Sequence, residues 1–218
     1  FAAQLYQSAP HQWQKNPKVY EEKVFEVNQQ MANSDTEFFK ELKNHNNLFF
    51  DYLSQYGEEE RLKPEELAPR YKYLEATKLE VLNPDTYLEA KEDNERYPII
   101  SDIKPPVVEV LSHSIGTGSA WTEADRDGSI RKMPLVFLFY DNRIIKDPVF
   151  LPTIDMIFIM KYFSVEPKNV EVNFGHYIKL KNAKVPLKKK LEEGGYQITG
   201  YDEKDISIPI DGEGKMHI

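Results

Sequence analysis

The chain has 218 residues, 28 basic and 36 acidic side chains, a formal net charge of −8 and no cysteine. A chain of this length can bury roughly 70% of its unfolded surface and needs neither metal nor disulfide to fold. Its 40% hydrophobic and 12% aromatic content excludes a disordered composition. The acidic balance speaks against nucleic acid as the partner, and the lack of cysteine removes disulfide scaffolds and thiol chemistry.

Both ends carry information. Phe1 is not an initiator Met, and Lys215-Met216-His217-Ile218 alternates like a strand and then stops. Termini are normally polar and frayed, so these ends read as those of a piece of a longer protein. The longest apolar run, Met133 to Tyr140, is too short to cross a bilayer.

The first helix is predicted from Pro17 to Ala32, with Tyr20, Val24, Val27 and Met31 on one face. Ser34-Asp35-Thr36-Glu37 has the form of a capping box and predicts a second helix, lined by Phe38, Phe39 and Leu42, ending near His45-Asn46. Leu48 to Leu53 then reads as a buried strand. From Gly57 to Tyr97 there are 12 acids against 7 bases, and Pro64, Pro69 and Pro84 punctuate the stretch. It reads as an acidic insert, solvated on the rim of the domain and anchored by residues such as Tyr71, Leu74 and Leu79.

Pro105-Pro106 is suited to open a short helix through Leu111. Gly116 to Ser119 bends into a strand carrying Trp121, Asp125-Arg126-Asp127-Gly128 is a hairpin turn, and Ser129 to Tyr140 is the returning strand. Asp147-Pro148 is an N-cap with Pro behind it, starting an apolar helix from Val149 to Phe163. Short strands follow at Val170–Phe174, Tyr177–Leu180, Tyr196–Thr199, Ile206–Ile210 and Lys215–Ile218, with Lys184 to Lys190 in a charged connection. Strands and helices intermix, and hairpins dominate the second half. The fold class is therefore α/β in the broad sense, mixed α+β: a single domain with a mixed, largely antiparallel sheet and helices packed on it.

The search for chemistry returns little. With Gly128 at loop position 6, a calcium loop would place Pro134 where a bidentate Glu is required. Gly116-Thr117-Gly118 lacks the third glycine of a dinucleotide fingerprint, because Trp121 stands there. No nucleophile elbow occurs. Ser112-His113-Ser114 puts a His between two hydroxyls, but neighbours in sequence do not make a triad, and His113 reads as a helix-end residue. The other histidines are scattered singly, which gives zinc no support. Arg131 is placed to clamp Asp127 beside the turn, a ligand carboxylate being the sharper alternative, and Phe137 and Phe139 read as core. We identify no catalytic, metal or cofactor site, and the residues assign no ligand.

The stretch from Ser119 to Leu135, carrying Asp125-x-Asp127-Gly128, Arg131 and Pro134-Leu135, resembles the signature of the CHASE2 family of extracytoplasmic sensor domains. Three more segments agree in order: Asp35 to Phe50, a helix running into an apolar strand; Asp147 to Asp155; and Ile208-Pro209-Ile210-Asp211 with Gly214 to Ile218. The resemblance implies a CHASE2-like domain over residues 1–218 that lacks the family's first strand and carries a longer, more acidic insert at 57–97 than the family pattern. It implies the non-enzymatic sensor of a bacterial inner-membrane receptor, held outside the cytoplasm between transmembrane helices and regulating a cytoplasmic adenylate or guanylate cyclase. A histidine or Ser/Thr kinase as effector is the alternative. The implied partners are an unknown extracytoplasmic ligand or stimulus, the flanking membrane helices and a second copy in a homodimer, with no nucleic acid. Asp125, Asp127, Gly128, Arg131 and Pro134 are the family-signature turn and read as structural. Two readings of other classes stand beside this one: a small-molecule hydrolase using Asp125 and Asp127, and an interaction domain using the acidic insert, with Glu58-Glu59-Glu60, as its contact.

Overall fold

A computed structural model of the protein describes residues 17–45, 47–55, 61–93, 99–120, 122, 127–191 and 194–217. The chain divides into two units, Phe1–Asn46 and Asn47–Ile218. In the first unit, α1 (Pro17–Leu42) is one continuous helix of 26 residues. The capping box at Ser34 is therefore not a helix start. The Ser34 hydroxyl donates to the Gln30 carbonyl at 3.0 Å, one turn back, which is the local bond a mid-helix serine can make. The side chains of Tyr20, Val24, Val27 and Met31 lie outside the described ones.

The second unit mixes helices with mostly antiparallel strands, as the alternation led us to expect, but distributes the pairing over several small sheets. Strand β1 (Phe49–Gln55) is central in a three-stranded sheet, antiparallel to β3 (Asp102–Lys104) and parallel to β4 (Gly116–Ser119). Between β1 and β3 in the chain come α2 (Pro64–Glu75), β2 (Glu80–Val81) and α3 (Pro84–Asp93). The short helix α4 (Val108–Leu111) begins after the two prolines rather than on them. Strand β5 (Lys132–Pro134) pairs with β11 (Lys215–His217), and β6 (Val136–Phe139) with β7 (Val149–Pro152), both antiparallel. The helix α5 (Ile154–Tyr162) precedes β8 (Val170–Asn173), β9 (Tyr177–Lys190) and β10 (Tyr196–Pro209), which with β2 form a four-stranded sheet in the order β10-β9-β8-β2.

Several sequence expectations change here. The segment 64–93 is anchored at Tyr71, Leu74 and Leu79 as expected, but it lies deeper than a rim insert, because Leu67 of α2 and Tyr87 of α3 are buried as well. Charge counts missed this because the acids occupy the outer faces of two amphipathic helices. Gly116 to Ser119, expected as a bend, is the strand β4 paired with β1. Of the hairpin expected across Asp125–Gly128, the arm carrying Trp121 lies outside the described residues, and the returning stretch is divided into β5, paired with β11, and β6, paired with β7. The expected helix at Val149 is a strand up to Pro152, because its four residues complete a ladder with the fully buried β6. Thr153 then caps α5 in place of Asp147. Lys184 to Lys190 is not a connection but the outer half of β9, and the two short strands expected after it are one 14-residue strand. Register shifts between Ile198 and Gly200 and between Lys204 and Ile206 mask the alternation.

The second unit holds two apolar clusters. One gathers Tyr87, Met156, Phe174 and Ile178 beneath the four-stranded sheet, with Phe174 and Tyr87 rings 5.0 Å apart. The other gathers Tyr52, Leu67, Tyr71, Ile103, Phe137 and Phe139.

Candidate functional site

Asp127 and Arg131 meet as expected. The guanidinium donates to both carboxylate oxygens, at 3.1 and 2.7 Å, with both side chains more than half exposed. Arg131, followed by the Ser129 backbone N–H, holds the Asp127 carboxyl down to about 2. A carboxylate that acidic is a poor general base near neutrality. Gly128 adopts φ +80, as its turn role requires, and Pro134 is buried in β5. Asp125, Trp121 and Glu58–Glu60 lie outside the described residues. His113 sits at the end of α4, its Nδ1 2.8 Å from the Glu109 carbonyl. Among the described residues no group of three or more His, Asp or Glu side chains is arranged to hold a metal.

Three segments far apart in sequence converge on Leu135. The Thr153 hydroxyl donates to the Pro134 carbonyl at 2.8 Å, and the Thr153 N–H to the Leu135 carbonyl at 3.0 Å. The Leu135 N–H donates in turn to the Gly214 carbonyl at 3.0 Å. Next to this junction Lys132 reaches Asp211 at 2.8 Å, and Asp211 also accepts the backbone N–H groups of Glu213 and Lys215, both at 3.0 Å. Burial alone would raise the Asp211 carboxyl, but Lys132 and these N–H groups outweigh it and hold it below its ordinary value. Gly214 has φ +74, and a Cβ there would lie 2.8 Å from the Phe174 ring, so no other residue fits the loop without displacing that ring.

A cleft of about 600 Å³ opens between α2 and the segment 144–149. From α2 it takes Ala68, Tyr71, Lys72 and Glu75, one helical face by spacing. Opposite stand Ile144, Ile145 and Val149, with Lys146 and Asp147, and Lys78 follows the helix end. The facing segment is fixed from below. Ile144 and Ile145 donate backbone N–H groups to the Asp141 carbonyl at 3.1 and 3.0 Å. Asp141, with its side chain 1% exposed, grips Arg143, and Arg143 reaches on to the Leu62 carbonyl at 3.2 Å, just before α2. On the inner side the Tyr71 ring packs 5.7 Å from Phe139, and burial raises its hydroxyl to about 12. Asp102, within reach of the charges of Arg143 and Asp141, is fully buried, and neither of its carboxyl oxygens has a hydrogen-bond partner among the described residues. Sequence reasoning missed the cleft; the only signal available was the 68/71/72/75 spacing inside a stretch read as an insert.

The chain matches no family model, no curated protein and no solved structure. The site is therefore interpreted from its own geometry.

Proposed function

We propose that this chain is the extracytoplasmic sensing module of a membrane receptor of the CHASE2 kind, governing a cytoplasmic nucleotide cyclase. The observation that carries the reading is the convergence on Leu135. The signature run ending at Pro134-Leu135, the segment 147–155 and the closing segment from Ile208 each resemble a separate part of the family pattern, and they are bonded to one another through Thr153, Leu135 and Gly214. The exposed, mutually paired Asp127 and Arg131 fit a turn better than a hydrolytic centre. A sensor works when stimulus and output bias the same two-state element. The junction supplies a candidate, because β11, the last strand among the described residues, follows directly from Gly214.

No helix among the described residues is long and apolar enough to cross a membrane, so on this reading the spans flank the chain. The test is topology. The full gene should encode an apolar stretch of ~20 residues on each side of residues 1–218, and a reporter fused within them should be active only outside the cytoplasm. A reading frame without such stretches, or a reporter active only in the cytoplasm, overturns the proposal.

A further inference from the structure

We infer that the cleft between α2 and the segment 144–149 binds a small monocarboxylate carried on an apolar body, the class to which α-amino acids with aliphatic side chains belong. This deepens the receptor reading, on which only the ligand's role as stimulus rests. Binding itself is a property of the chain alone.

The cleft has the size of a ligand site: about 600 Å³, within the ~300–1,000 Å³ usual for small-molecule pockets. Its floor is apolar and anchored, since Ile144, Ile145 and Val149 pack against the second core cluster. The Asp141–Arg143 pair and its bond to Leu62 hold that wall against the start of α2, so little ordering is left for a ligand to impose.

Charge decides the ligand class. Lys132, Lys168, Lys181, Lys204 and Lys215 each hold an acid elsewhere in the molecule. Lys72, Lys78 and Lys146 line the cleft, all three exposed, and among the described residues no acid forms an ion pair with them. Glu75 and Asp147 line it as well, likewise without an ion pair among the described residues, so three positive and two negative groups leave a surplus of one positive charge. In a chain of net charge −8 this is a local reversal of sign. A monoanion neutralises the surplus and a dianion overshoots it, whereas an amine without a carboxylate meets charge of its own sign. Lysine ammonium groups on flexible stems can close over a carboxylate from several directions. An α-ammonium group would find Glu75 or Asp147, so a zwitterion is admitted but its amine is not required.

The test uses the full chain and three probes of one shape: L-leucine, 4-methylpentanoate, which lacks the amine, and 3-methylbutylamine, which lacks the carboxylate. Calorimetric titration should show binding of 4-methylpentanoate, of L-leucine or of both, and none of 3-methylbutylamine. The double variant K72A/K146A should weaken carboxylate binding at least tenfold with its circular dichroism unchanged. K189A, on a lysine outside the cleft, should leave binding as it was. Ile145→Trp, which fills the floor, should also abolish binding and serves if the double variant misfolds. The inference is overturned if neither carboxylate binds at millimolar concentration, if the amine binds as well as they do, or if neither cleft variant weakens binding. Loss of binding in these arms says nothing against membrane topology, and a failed topology test leaves the titrations standing.

Discussion

At the scale of single residues, two buried acids of the second unit respond to pH in opposite senses. Burial would raise Asp141, but Arg143 donates from Nε at 2.9 and 3.1 Å and from its backbone N–H at 3.0 Å, and the carboxyl lies below its ordinary value. Asp102 is raised, first by burial, against the opposing pull of Lys104, Arg61 and Arg143 and with Asp141 adding to the rise. A lowered folded-state value means that Asp141 stabilises the fold above its unfolded value, about 3.9, and that this contribution is lost as pH falls through the folded one. A raised value gives Asp102 the reverse sign: its contribution is complete below the unfolded value and is lost as pH rises through the folded one. Asp102→Asn, which cannot ionise, should therefore gain about 1–3 kcal/mol relative to the native protein near neutral pH and lose that advantage in mild acid. Urea denaturation at the two pH values measures it. An advantage that did not change with pH would mean the ionised form carries no cost.

At the scale of elements, the packing of β4 on α5 depends on the missing side chain of Gly118. A Cβ there would lie 2.6 Å from the Ile154 backbone nitrogen and 2.7 Å from the Thr153 carbonyl carbon, at the capped start of the helix. Neither atom can step aside without moving the helix, so Gly118→Ala should cost about 2–3 kcal/mol. Gly200→Ala, where the nearest side-chain atom is 3.8 Å away, should cost less than 1 kcal/mol by the usual penalty for a surface change of about 0.5 kcal/mol. Equal thermal midpoints for the two variants would refute the close approach. Gly116 to Ser119 was legible as a break before Trp121, but not as a buried parallel strand, because parallel pairing joins residues some 67 apart in sequence, such as Phe50 and Thr117. What the sequence made legible was local: strand β1, the Asp127 turn with Gly128 and Arg131, the burial of Phe137 and Phe139, and the mixed fold class. Partner choice was not legible. Ser34 and Asp147 both carry good cap chemistry, and in each case tertiary ladders or helix continuity overrode it. The cleft was hidden for the same reason, since its two walls meet only by contacts distant in sequence: Arg143 reaches the Leu62 carbonyl before α2, and residues of both walls pack into the second apolar cluster.

At the scale of the whole molecule, the β9–β10 ribbon has two parts: its inner half pairs with β8 and holds Ile178, Leu180 and Ala183 in the first apolar cluster, and its outer half runs on beyond that packing. Its outer part leaves Leu187, Tyr196, Ile198 and Tyr201 exposed, the last three by more than half. Val185 and Asp202 face each other in the ladder, so Pro186 to Tyr201 can be replaced by an Asn-Gly turn that joins them. The shortened protein should keep its fold and shift its thermal midpoint by less than about 4 °C, which is under about 1 kcal/mol for a chain of this size. Loss of cooperative unfolding would show instead that the ribbon supports the core. The pairing of β5 with β11 acts at the same scale. Residues 132–134 find their strand partner only at 215–217, and the Leu135 N–H finds its acceptor only at Gly214. During synthesis, a nascent chain shorter than this leaves the centre of the molecule with an open seam. The unit can close only after residues 215–217 have cleared the ribosome, so the centre laid down at residues 132–135 stays unsealed until a much later stretch of the same unit has been made.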